Sequence, residues 1–171
     1  MGIPFLPVQG IIGSDYLKVR PEFQIIEDPY SKAPVVVVPA VRPDLVIFHA
    51  FQADSMGNVA IEEATDATIA IKAAQIAIAT VEEVVSEGHL LLNRDRRLLS
   101  WLHVDVVVEV PGGAHPTACP GYYSMDDIHL RKYLKLAREK NNLKDYLDHY
   151  IHEVDGEEGY QKLVALEAQN E

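Results

Sequence analysis

The chain has 171 residues, 48% of them apolar, with one cysteine and a formal net charge of -11. That length suits one domain or one domain with an added subdomain, and the apolar share is enough to bury a core. The acidic balance argues against general nucleic-acid binding, which needs clustered Lys and Arg; the one basic cluster, Arg94, Arg96 and Arg97, is interrupted by Asp95.

No apolar run approaches the ~18 residues that cross a bilayer. The opening "MGIPFLPVQG" has no basic region followed by a long apolar stretch, so no signal peptide is expected. A lone Cys119 excludes an intrachain disulfide and fits a reducing cytoplasm.

Residues 1–20 read as irregular, punctuated by Pro4, Pro7, Gly10 and Gly13. Phe23 to Glu27 predicts a short strand, stopped by Asp28-Pro29-Tyr30. "VVVVPA" after Pro34 and Leu45 to Gln52 are continuous apolar runs, the pattern of buried strands. "DSMGN" at 54–58 predicts a turn, with Val59 to Glu62 returning as the second arm of a hairpin. Thr65 can cap an alanine-rich helix through Ala74. Ile76 to Val81 predicts a third buried strand, Glu82 to Val85 a short helical piece, and Leu90 to Leu92 a short strand.

"VDVVVEVPGGAHPT" at 104–117 is a strand that stops in Pro-Gly-Gly and delivers His115. Val104, Val106, Val108 and Val110 share one face, with Asp105 and Glu109 on the other. Ser124 to Asp127 has capping-box spacing and starts a helix to about Lys140, broken by Asn141-Asn142. Leu143, Tyr146, Leu147, Tyr150, Ile151 and Val154 form an apolar stripe on a second helix, and a last helix starts near Glu157. Parallel-type strands alternating with helices give an α/β class: an open, largely parallel sheet with flanking helices and a helical C-terminal extension. One domain over 1–171 is expected, with an α/β part at 1–123 and a helical tail at 124–171.

The common catalytic signatures are absent: no G-x-S-x-G, no G-x-G-x-x-G and no P-loop. His149 and His152 can share a helix face, but a zinc site needs three or four converging ligands, so no metal site is expected. His49, inside an apolar strand, reads as a satisfied core histidine, and Cys119 as a structural thiol. The Gly-Gly-Ala-His loop has two readings. It is either a strand-ending turn, or a loop whose glycines expose backbone N–H groups to a ligand at the carboxyl end of the sheet. Gly10 and Gly13-Ser14-Asp15 form a second such loop, and "FQADSMGN" reads as a hairpin turn.

Together "IPFLPVQGIIGSD", "PDLVIFHAFQADSMGNVAI" and "VDVVVEVPGGAHPT" resemble the α subunit of family I coenzyme A transferases, from Ile3 to Tyr133. The nearest branches are the α subunit of glutaconate CoA-transferase and that of a steroid ring-opening hydrolase. The resemblance implies an α-type chain that pairs with a β-type chain and moves CoA between an acyl-CoA and a carboxylic acid. In such enzymes a glutamate carboxylate carries CoA as a glutamyl thioester. It implies a CoA thioester as substrate and no permanently bound cofactor.

Family α subunits begin with a further α/β portion, and this sequence resembles only the C-terminal remainder, so a chain supplying that portion is expected. No glutamate here matches the family nucleophile: Glu62, Glu63 and Glu109 do not correspond. No catalytic residue is therefore expected in this chain, and no activity from it alone. The resemblance assigns the acyl pocket to Gln9, Gly13, Ser14, Gly112, Gly113 and His115. Gln9 stands where relatives commonly carry arginine, which removes a charge partner for a second substrate carboxylate. A ring-opening hydrolase subunit or a non-catalytic partner-binding remnant are the alternatives. A cytoplasmic protein with no nucleic-acid or membrane partner completes the expectation.

Overall fold

The computed structural model of the chain describes residues 2–63, 65–138 and 143–168. Internal contacts divide it into two units, Met1–Pro43 and Asp44–Glu171, where the sequence suggests one domain over 1–171.

In the first unit, β1 (Phe5–Val8), α1 (Tyr16–Val19), β2 (Gln24–Glu27) and β3 (Pro34–Pro39) form a three-stranded sheet in the order β1-β3-β2 with one short helix. All pairing is antiparallel: Phe5 lies opposite Pro39 and Gln24 opposite Val37. The expectation of irregular structure over 1–20 is corrected here. Pro7 fits inside β1 because β1 is an edge strand, where a missing N–H costs no ladder bond. The "VVVVPA" run is central as expected, but antiparallel, and only Val36 and Val37 are buried.

The second unit holds β4 (Leu45–Asp54), β5 (Val59–Glu62), α2 (Ala67–Ala73), β6 (Ile76–Val85), β7 (Arg96–Leu99) and β8 (Val106–Glu109). These are followed by α3 (Asp127–Arg138), α4 (Leu143–Leu147) and α5 (Gly156–Ala168). Its sheet has the order β7-β5-β4-β6-β8. β4, β6 and β8 are parallel, and β5 and β7 extend the sheet antiparallel. The α/β class, the flanking helices and the helical C-terminal part match the sequence reading.

The β4–β5 turn is a side-chain device. Asp54 Oδ1 accepts the Met56 and Asn58 amides, Oδ2 accepts the Asn58 side chain, and Gly57 takes φ 89. The hairpin reading of "DSMGN" holds, and its polar groups are spent on the turn.

Three local expectations fail for identifiable reasons. Glu82 to Val85 is strand, not helix, because β6 stays paired with β4 up to Asp54 opposite Val85. The Glu109 carboxylate also accepts the Val84 amide there. Leu90 to Leu92 is not a strand; the pairing with β5 is taken instead by β7, with Arg96 opposite Glu62. The valine run pairs only over Val106–Glu109, and its expected core face is open: Val106 and Val108 are 44% and 43% exposed. Leu45, Ile47 and Ile76 share that face by register and are also exposed. The core lies on the opposite face, where Ala50, Ala77, Ala79, Val81 and Ile71 pack together with Val107 against them.

In the helical part, Asp126 caps α3 by accepting the His129 amide at 2.8 Å, two residues later than the predicted Ser124. The predicted end of that helix at Lys140-Asn141-Asn142 lies outside the described residues. The predicted stripe is split because α4 passes into a π-helical turn at Asp148–His152, which widens the helix and rotates its faces. Tyr150 is left buried while Ile151 turns outward. Among the described residues no helix is long and apolar enough to cross a membrane.

Candidate functional site

At the carboxyl ends of β6 and β8 sits a buried carboxylate that the sequence did not single out. Glu82 is 7% exposed and accepts three hydrogen bonds. His49 Nε2 and the Tyr123 hydroxyl each lie 2.6 Å from Oε1, and the Gly112 amide lies 2.7 Å from Oε2. A carboxylate only accepts, so His49 carries its proton on Nε2, and its Nδ1 faces the Thr80 hydroxyl at 2.8 Å. His49 is thus the satisfied strand histidine that was expected. Burial works to raise the Glu82 carboxyl, but the bonds from Tyr123, Gly112 and His49 outweigh it and hold the group below its usual range.

This carboxylate organises the glycine loop. The Gly112 amide goes to Glu82, the Gly113 amide to Val110 O, the Ala114 amide to the Tyr123 hydroxyl and the His115 amide to Gly112 O. The donors expected to face a ligand are therefore spent inside the loop, and what the loop offers is a fixed wall. Both glycines have a local cause. Gly112 takes φ 79, and a Cβ there would stand 2.8 Å from Gln161 Nε2. A Cβ on Gly113 would stand 2.9 Å from Val110 O and 3.1 Å from His49 Cε1.

His115 is not an exposed loop tip. Its Nδ1 meets the Tyr160 hydroxyl at 2.7 Å and its Nε2 meets Asp126 Oδ2 at 3.2 Å, tying the loop to the helical tail. Gly112, His115, Tyr123, Asp126, Gln161 and Val164 are among the residues lining a cavity of about 680 Å³.

Cys119 packs with Phe51 and Ala60 beneath the loop. Burial, and then the nearby Glu82 charge, push its thiol up to about 11, which suits a structural thiol and not a nucleophile. At pH 8 an aromatic disulfide reagent should label native Cys119 roughly two orders of magnitude more slowly than the urea-unfolded chain. Equal rates in the two states would contradict this placement.

Gln9, Gly13 and Ser14 lie in the first unit, on the loop that follows β1. Gln9 and Gly13 are exposed. Gly10 and Gly13 take φ 83 and 81, and the Ser14 hydroxyl donates to Ile11 O at 2.7 Å, closing the turn. His149 and His152 do not converge: they pair separately with Glu167 and Asp148. The basic cluster is also occupied, with Arg96 stacked over Phe51 at 4.1 Å and Arg97 donating to the Thr68 hydroxyl at 2.6 Å.

A family model described as Coenzyme A transferase matches residues 1–109. The chain belongs to the coenzyme A transferase family. It is 34% identical to the α-type subunit of 3-oxoadipate CoA-transferase from Pseudomonas knackmussii, covering 88% of this chain and 53% of the relative. It is 29% identical to the cholesterol ring-cleaving hydrolase IpdA subunit of Mycobacterium tuberculosis, covering 87% and 54%.

Among solved structures, glutaconate coenzyme A-transferase from Acidaminococcus fermentans superposes with a TM-score of 0.83 at 28% identity, over 95% of this chain and 57% of that one. The decarboxylase AibA/AibB superposes with a TM-score of 0.74 at 38% identity, over 87% and 54%. The chain thus spans little more than half the length of these relatives.

Proposed function

We propose that this chain is part of an α-type CoA-transferase subunit. It would work in a hetero-oligomer with a β-type partner and with a chain carrying the rest of the α-type fold. The observation that carries this reading is the family match over residues 1–109. The open apolar face formed by Leu45, Ile47, Ile76, Val106 and Val108 supports a partner, since parallel strands are as a rule covered on both faces.

The reactive glutamate belongs to the partner. It attacks the acyl-CoA carbonyl, CoA leaves as thiolate, and an acyl anhydride forms. The thiolate then attacks the glutamyl carbonyl, releasing the first acid and leaving glutamyl-CoA. An acceptor carboxylate reverses the sequence and takes the CoA away. Glu82, the buried acid of the site, is unsuited to that attack because three donors occupy its oxygens and lower its basicity. Gln9, Gly13, Ser14, Gly112, Gly113 and His115 shape the acyl pocket, with Gly112 and Gly113 acting as wall and not as oxyanion donors. Its place is the cytoplasm, consistent with a single reduced thiol.

The match to a ring-cleaving hydrolase subunit supports a second reading, in which water replaces the acceptor acid. Isotope-labelled free acid separates the two. Incubated with acyl-CoA and the assembled complex, it should enter the acyl-CoA pool if CoA is transferred. Consumption of acyl-CoA with no label incorporated would favour the hydrolase. No activity from the isolated chain is expected in either case.

A further inference from the structure

The molecule also holds a side-chain cluster that lies outside the acyl-transfer reading and does not depend on it. His115 comes from the glycine loop, Asp126 from the cap of α3 and His129 from its first turn. One donor atom from each side chain lies within 4.8 Å of the other two. His115 Nε2 and Asp126 Oδ2 are 3.2 Å apart. Two ligands held by one ion at ~2.0–2.2 Å stand roughly 3.0–3.5 Å from one another, so this pair is already spaced for shared coordination.

The remaining atoms of the three side chains are held in place. The Tyr160 hydroxyl lies 2.7 Å from His115 Nδ1, the Tyr146 hydroxyl lies 2.7 Å from His129 Nε2, and the His129 amide lies 2.8 Å from Asp126 Oδ1. Metal-binding imidazoles and carboxylates are fixed in this way, by a second hydrogen bond that sets the orientation of the ring or carboxyl group. His129 is 5% exposed, which keeps competing water away from one side. His115 and Asp126 line the 680 Å³ cavity, which gives an ion an entry path and room for water as further ligands.

We propose that His115, Asp126 and His129 bind one divalent transition-metal ion of the zinc class, a borderline ion suited to two imidazoles and a carboxylate. This replaces the expectation that the chain holds no metal site. The site joins the glycine loop to the helical tail, and no sequence motif announces it because its members lie on a loop, a cap and a helix. The hydrogen bond between His115 and Asp126 is the contact the ion displaces, so binding releases a proton.

The test is titration of the tag-free chain with Zn²⁺ by calorimetry in two buffers of different ionisation enthalpy, and with Co²⁺ by visible absorption. The expected result is one ion per chain with proton release, and d–d bands of a nitrogen and oxygen ligand set. Asp126→Asn retains the helix cap but should abolish binding. Tyr160→Phe and Tyr146→Phe keep the rings and should weaken binding about 10–100-fold. A His149→Ala, His152→Ala double variant should bind as the parent does. Absence of saturable binding overturns the proposal. So does binding lost with His149 and His152, or an affinity unchanged in both Asp126→Asn and Tyr160→Phe.

Discussion

Glu82→Ala should destabilise the fold by about 3–5 kcal/mol, the usual cost of removing one member of a buried, hydrogen-bonded charged pair. The size reflects the groups left behind. The His49 ring N–H, the Tyr123 hydroxyl and the Gly112 amide all lose their acceptor in a place where water cannot substitute for it. Glu82→Gln is milder, about 1–3 kcal/mol, because one amide oxygen still serves part of the set while the amide nitrogen meets a donor.

The pH dependence comes from the lowered carboxyl. A group whose folded pKa lies below its unfolded value of about 4.3 contributes fully above that value and loses its contribution as pH falls through the folded pKa. The gap between the parent and Glu82→Gln in urea unfolding should therefore be widest near neutrality and narrow below about pH 4. An alanine variant within ~0.5 kcal/mol of the parent at pH 7 would remove Glu82 from the centre of the site.

Gly113→Val should be comparably damaging, and more so than any change at Gly112. The Val110 carbonyl that a new Cβ would meet at 2.9 Å also accepts the Gly113 amide, so it cannot retreat without opening the turn. On the other side stands the His49 ring, itself fixed by Glu82 and Thr80. Overpacking of this kind costs about 1–3 kcal/mol for a single added carbon, and valine adds branching. At Gly112 the clash is with the free end of the Gln161 side chain, so Gly112→Ala is left mainly with the left-handed backbone penalty of about 1–2 kcal/mol. Thermal unfolding should rank Gly113→Val below Gly113→Ala, and Gly113→Ala below or level with Gly112→Ala. The reverse order would show that the loop rearranges freely.

The strands Leu45–Asp54 and Val59–Glu62 were legible because apolar runs, and an Asp and Gly at turn positions, act over short distances. β1 was hidden because Pro7 in a sequence looks like a break until the strand proves to lie at an edge. The end of β6 was misread since two adjacent glutamates suit a solvated helix, and nothing local says that Glu82 meets an amide 30 residues further on. The split of the tail stripe depends on a π-helical turn, which leaves no periodic trace in the sequence.

In the site, the glycine pair and His115 were visible as a loop at a strand end. Their partners were not: Tyr123, Asp126 and Tyr160 gain meaning only when the helical tail folds back. The expected open donors failed for the same reason, because a buried acid from another strand took one of them.

The most direct test is to find where CoA is held during turnover. The complex of this chain with a β-type partner and the remaining α-type portion would be quenched with acyl-CoA present, treated with hydroxylamine and digested. Mass spectrometry would then locate the glutamyl hydroxamate left by a glutamyl-CoA thioester. The account predicts the modification on a glutamate of the β-type partner, with every acid of this chain, Glu82 included, unmodified. A hydroxamate on this chain, formed with or without companions, would contradict it.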